Sequence, residues 1–123
     1  MTIFRCESLG IEFASLREEH ERVYRSGKIK AANRLFDQSR KVAAELMACR
    51  EDRRTVLTNL LGHQNEAVVL GAASYLLPID EDLAISILHR IDENGLTPEH
   101  RISAYMCIRE WKAGNMNDIR MLA

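Results

Sequence analysis

The stretch Arg53 to Pro78, RRTVLTNLLGHQNEAVVLGAASYLLP, limits the fold more than any other part of the chain. Its apolar residues recur at three and four positions, the spacing of one helix face. Val56, Leu57, Leu60 and Leu61 fall on one side of a first short helix. Gly62-His63-Gln64-Asn65 interrupts it, and Asn65 is suited to cap the next helix. That second helix carries Val68, Val69, Ala72, Ala73, Leu76 and Leu77, and Pro78 stops it. Gly71, Ala72, Ala73 and Ser74 are small enough to admit another helix at close range. Such a pair cannot bury its own apolar surface, so it needs further helices on each side.

The flanking sequence supplies them. Ser8 to Ser26 predicts a helix with Leu9, Phe13, Leu16, His20, Val23 and Tyr24 along its apolar stripe, closed by Ser26-Gly27. Arg17, Glu18, Glu19, Glu21, Arg22 and Arg25 are assigned to its solvated face. Residues 1–7 read as a loosely held lead-in. Lys28 to about Arg50 predicts a second helix, with Ala32, Leu35, Phe36, Ser39, Val42, Ala43, Leu46 and Met47 on its stripe. The two form an antiparallel hairpin. After Pro78, Asp80 caps a helix running to about Glu93, and Asn94-Gly95 ends it. Thr97-Pro98-Glu99 starts the last long helix, which carries Ile102, Tyr105, Met106, Ile108 and Trp111 and ends near Gly114. The expected architecture is all-α: about six helices in three antiparallel hairpins, stacked as a right-handed solenoid in one domain, 1–123. Its parts are a capping hairpin (8–50), a central unit (53–77), a C-terminal unit (80–112) and a tail (113–123).

Composition agrees and adds exclusions. Hydrophobic residues make up 46% and charged residues 28% of the 123, a globular balance that rules out a disordered chain. The formal net charge of −1 says nothing about partners, but the charges are unevenly placed. Residues 17–41 hold eight Lys or Arg against four acids, whereas residues 52–99 hold eight acids against three Arg. Such asymmetry orients a charged partner. The opening MTIFRCESLG has no apolar core of a signal peptide, and no apolar run is long enough to cross a bilayer. Cys6, Cys49 and Cys107 lie far apart without CxxC spacing. Their odd number and the missing signal point to reduced thiols in a cytoplasmic protein.

For chemistry, the chain offers mostly absences. His20-Glu21-Arg22-Val23-Tyr24 begins like HExxH but lacks the second histidine. Arg17, not an acid, precedes His20 by three, so no Glu-x-x-His pair exists for a metal-binding bundle. There is no phosphate loop and no GxSxG. No catalytic residue, cofactor or metal ligand is assigned. His20 reads as a core histidine and His63 as a polar turn residue. Trp111 reads as packing on the preceding helix. The basic run Arg25, Lys28, Lys30, Arg34, Arg40 and Lys41 is broken by Asp37 and lacks interleaved aromatics. The helix Glu66 to Leu77 contains no Lys or Arg, which argues against nucleic acid as a partner.

LLGHQNEAVVLGAASYLL resembles a HEAT repeat: Leu60 and Leu61 end one helix, and Val68, Ala72, Ala73 and Leu76 mark the next. With AANRLFDQSRKVAAEL (31–46), LAISILHRI and IREWKAGN, the chain over residues 8–115 is similar to a small bacterial family of HEAT-like domains of unknown function. Asn33-Arg34-Leu35-Phe36 is the most specific part. The sequence departs from the pattern after Val68, where Val69 and Leu70 stand in place of the usual Arg. The resemblance implies a fold and a binding role, and no catalytic residue. The expected function is that of a non-enzymatic protein-binding module, in particular an immunity protein against a basic toxin. Asp80, Glu81, Asp82, Asp92 and Glu93 would form the contact surface. Two alternatives stand beside it. One is a ligand-binding or enzymatic pocket between helices near His63 and Trp111. The other is self-assembly through Met116, Ile119, Met121 and Leu122.

Overall fold

The computed structural model describes residues 2–123, with side chains from Arg5 onward. Seven helices follow one another: α1 (Thr2–Arg25), α2 (Ile29–Met47), α3 (Arg53–Leu60), α4 (Glu66–Leu76), α5 (Glu81–Asn94), α6 (Pro98–Lys112) and the short α7 (Asn117–Arg120). The described residues contain no strand, so the fold is all-α.

Helix α4 forms where the sequence places it. The Asn65 side chain accepts from the Ala67 backbone N–H at 2.9 Å, and the Asn65 N–H is in turn taken by His63 Nδ1 at 3.0 Å. These bonds satisfy donors that a helix start otherwise leaves open. Every residue from Ala67 to Ala73 is buried, as are Leu76 and Leu77. A helix apolar on all sides belongs in the interior, and α4 is packed against α1, α3, α5 and α6.

Two glycines let α1 come close. A Cβ on Gly10 would stand 2.5 Å from Val56 Cγ1 of α3. One on Gly71 would stand 2.9 Å from the Phe13 ring and 3.1 Å from Arg17 Nε. Phe13 then fills the space above Gly71 and meets Tyr75 edge-on, with ring centres 5.8 Å apart.

Helices adjacent in the chain pack on one another, α1 on α2, α3 on α4, α4 on α5 and α5 on α6, and the long helices can be grouped as the pairs α1–α2, α3–α4 and α5–α6. Gly27, at φ 84°, makes the first turn in the left-handed region that suits glycine. The side chain of Asp80 caps α5 by accepting from Leu83 N–H, and that of Thr97 caps α6 by accepting from His100 N–H. The core runs through all three hairpins: Phe13, Leu46, Leu57, Leu76, Leu88 and Ile108 belong to one buried cluster.

Three expectations are corrected. Helix α1 begins at Thr2 rather than Ser8, and the buried Cys6 carries its apolar stripe back toward the N-terminus from Leu9. Of the lead-in expected over 1–7, Met1 lies outside the described residues. Second, Cys6 and Cys49 form a disulfide, leaving Cys107 as the free cysteine. The antiparallel hairpin sets the start of α1 beside the end of α2, so residues 43 apart in sequence meet. Spacing along the chain carries no trace of that meeting. Third, most of the tail residues offered for self-assembly are folded back against the chain. Ile119 is buried, and Met116 and Leu122 pack on the core. Arg53 donates to the Leu122 carbonyl at 3.1 Å. Met121 alone of the four is fully exposed.

Candidate functional site

A cleft of about 610 Å³ opens between α1 and α6, with α4 as its floor. Ala67, Leu70 and Ser74 line the bottom. Arg17, His20, Tyr24 and Arg25 form one wall, and Glu99, His100 and Ser103 the other. Clefts of this size with an apolar floor and a few converging polar groups are the usual shape of a ligand site.

His100 stands third from the capped start of α6 and ties three helices together. Its Nε2 lies 3.0 Å from Glu21 Oε1 of α1, and its Nδ1 lies 2.8 Å from Glu66 Oε1 of α4. Both carboxylates are further held. Glu21 accepts from Arg25 at 3.0 Å, and Glu66 accepts the Leu96 N–H at 2.7 Å. Glu66 also sits in the first turn of α4, where a negative charge suits the helix dipole.

Arg17 lies deeper. Its guanidinium stands 5.3 Å from the centre of the Phe36 ring. Its Nε is shut off from solvent and has no hydrogen-bond partner among the described residues. Burial, offset in part by Tyr75 and Glu21, holds its pKa below the ordinary arginine value. His20 packs between Tyr24 and Phe36. Its pKa is pushed down, first by burial and then by the positive charge of Arg17, with Glu21 acting the other way. Across the floor, Ser74 Oγ donates to the Leu70 carbonyl at 2.9 Å and meets Cys107 Sγ at 3.5 Å. Burial raises the Cys107 thiol pKa, and the contact with Ser74 opposes that rise.

The residues singled out by sequence lie elsewhere. Asp80 caps α5 and forms an ion pair with Arg54 at 2.7 Å. Glu81 accepts from the indole N–H of Trp111 at 2.6 Å. Asp82 and Glu93 are exposed and Asp92 partly so. Asp80 to Asp82 sit at the start of α5 and Asp92 and Glu93 near its end, about 15 Å apart at the helical rise. Trp111 is buried as expected, with Arg120 stacked 3.7 Å from its ring centre. The pocket expected near His63 and Trp111 is not a single one: His63 lines a hollow with Leu61 and Arg90, and Trp111 lines another with Glu81 and Arg120. Among the described residues no group of three His, Cys, Asp or Glu is arranged to hold a metal ion. No helix among them is long and apolar enough to cross a membrane.

Sequence reasoning misses the cleft. It assigns Arg17 and Glu21 to the solvated face of α1, whereas both are partly buried against α4 and α6. The acids that hold His100 lie 34 and 79 residues before it, and no local pattern encodes such pairs. The small residues of α4 are the only available sign that another helix comes close.

No curated protein and no solved structure matches the chain. One family model does, over residues 7–111. The chain thus belongs to the family described as Domain of unknown function (DUF2019).

Proposed function

We propose that the chain is a non-enzymatic protein-binding module of HEAT-like build, and that the outer side of its α5–α6 hairpin is the binding surface. The observation that carries this reading is the exposure of Ile102, Tyr105 and Met106, at 62%, 50% and 39%. They stand three and four residues apart on α6 and so share one face of it. Leu96, just before that helix, is 76% exposed. Exposed apolar side chains that are grouped rather than scattered mark interaction surfaces, and Tyr and Met are enriched there. The paired helix α5 presents Asp82 and Glu93 to solvent.

An apolar patch on α6 with exposed acids on the helix packed against it suits a basic partner. The narrower form of the proposal is therefore an immunity protein that occludes a basic toxin, with Asp82, Asp92 and Glu93 steering the encounter. Asp80 and Glu81 already hold Arg54 and Trp111 and contribute less.

Co-expression with the product of the adjacent gene, followed by affinity capture, tests the reading. Ile102→Asp should abolish capture while leaving the melting temperature within a degree or so, because that side chain is on the surface. Asp82→Lys with Glu93→Lys should slow association and weaken its salt dependence. If the neighbouring product is harmless and neither change affects any complex, the immunity form is wrong.

A further inference from the structure

We infer that the cleft between α1 and α6 is a binding site for a carboxylate-bearing ligand, and that Arg17 is its anchor. A guanidinium keeps its charge at every physiological pH. Removing a charge from water without a partner is unfavourable. Yet no hydrogen bond or ion pair within the described residues reaches the Arg17 guanidinium, and its Nε is closed off against Gly71 and Phe13. Arg17 nevertheless lines the cleft, beside His20 and Glu21 of the same helix.

The other charges of the cleft are already matched. Glu21 is held by Arg25 at 3.0 Å and by His100 at 3.0 Å. Glu99 lies at the exposed rim, its charge favoured first by a backbone N–H at the helix start, then by the Thr97 side chain and less by Arg25 and His100. Arg17 feels the charge of Glu21 but, unlike Arg25, makes no direct ion pair with it. A planar guanidinium pairs with a carboxylate through two parallel N–H donors. Beside it, Ala67 and Leu70 give the floor an apolar surface for the body of the ligand. The volume of about 610 Å³ admits a small organic acid or the last residues of a peptide chain, and both offer the same group. Occupation of the cleft does not require a partner on the outer face of α6.

The test uses the Arg17 side-chain N–H signal of the ¹⁵N-labelled protein, assigned by its loss in Arg17→Lys. The probes are hexanoate, its neutral isostere hexanamide, and a short apolar peptide with either a free or an amidated C-terminus. We expect a saturable shift with a carboxylate probe and roughly tenfold or weaker binding of the matching amide, the loss a charge-assisted pair implies. Response to hexanoate alone assigns the site to free acids; response to the peptide acid alone assigns it to chain termini. Arg17→Gln should weaken the responding probe by about tenfold or more. The inference is overturned if neither acid shifts the signal at tens of millimolar, if acid and amide bind alike, or if folded Arg17→Gln binds as the parent does. Should Arg17→Gln fail to fold, the acid and amide comparison on the parent protein decides.

Discussion

At the scale of single residues, the interior rests on side chains that touch several helices at once. Leu76 is fully buried in the cluster that joins the three hairpins. Leu76→Ala should lower the unfolding free energy by about 2–5 kcal/mol in urea titration, as transfer and cavity terms add. His20 gives the chain a pH dependence. Its folded pKa lies below the ordinary value of 6.5. In the interval between those two values the unfolded chain binds the proton and the folded chain does not. Stability is therefore complete above the ordinary value and falls as the pH drops through that interval. Arg17 and Glu21 face the same ring, and the arginine charge reinforces the effect. Melting temperatures should decline from about pH 7 to about pH 5, less steeply in His20→Gln. The caps Asn65, Asp80 and Thr97 are legible from sequence because each acts within three residues of itself. Glu21, Glu66 and His100 are not, because their contacts exist only after three helices assemble.

At the scale of elements, the hairpins are readable and their fine placement is not. Period and turn chemistry locate all six long helices. The start of α1 escapes because Thr2 to Glu7 lack the strong periodicity of the residues from Ser8 to Tyr24. The buried side of α6 is equally hidden: Ala104, Ile108 and Trp111 face inward, while the larger apolar set Ile102, Tyr105 and Met106 faces out. Apolar residues lie on more than one side of that helix, so sequence alone leaves the choice to packing. The α1–α2 hairpin carries a covalent clip across a separation of 43 residues. Cys6→Ser with Cys49→Ser should lower the unfolding free energy by about 2–4 kcal/mol, since the crosslink restricts the unfolded chain. Thiol titration of the denatured, unreduced protein should find one reactive group, Cys107. Three reactive groups would show that the pair does not form.

At the scale of the whole molecule, the sequence conveys an all-α chain with its acids and bases drawn apart. It does not convey that the first and last helix pairs touch each other, through Glu21 and His100. The stacking logic read from residues 53–77 suggests units that touch only their neighbours in order. In the structure the central pair is met by α1 on one side and by α5 and α6 on the other, as that logic requires, but His100 of α6 also reaches Glu21 of α1, so the first and last pairs meet as well. A fragment of residues 53–112 would leave Gly71 and its surroundings without Phe13 and Arg17. It should show little cooperative melting by circular dichroism, whereas the full chain should melt in one transition.

The close seat of Phe13 over Gly71 has one more consequence. In an open stack, evolution lengthens a protein by duplicating one unit and inserting the copy. Here a duplicated α3–α4 pair would find its glycine notch empty, since only one α1 exists to fill it. A copied pair would need a larger residue in place of that glycine to fill the notch that Phe13 fills here.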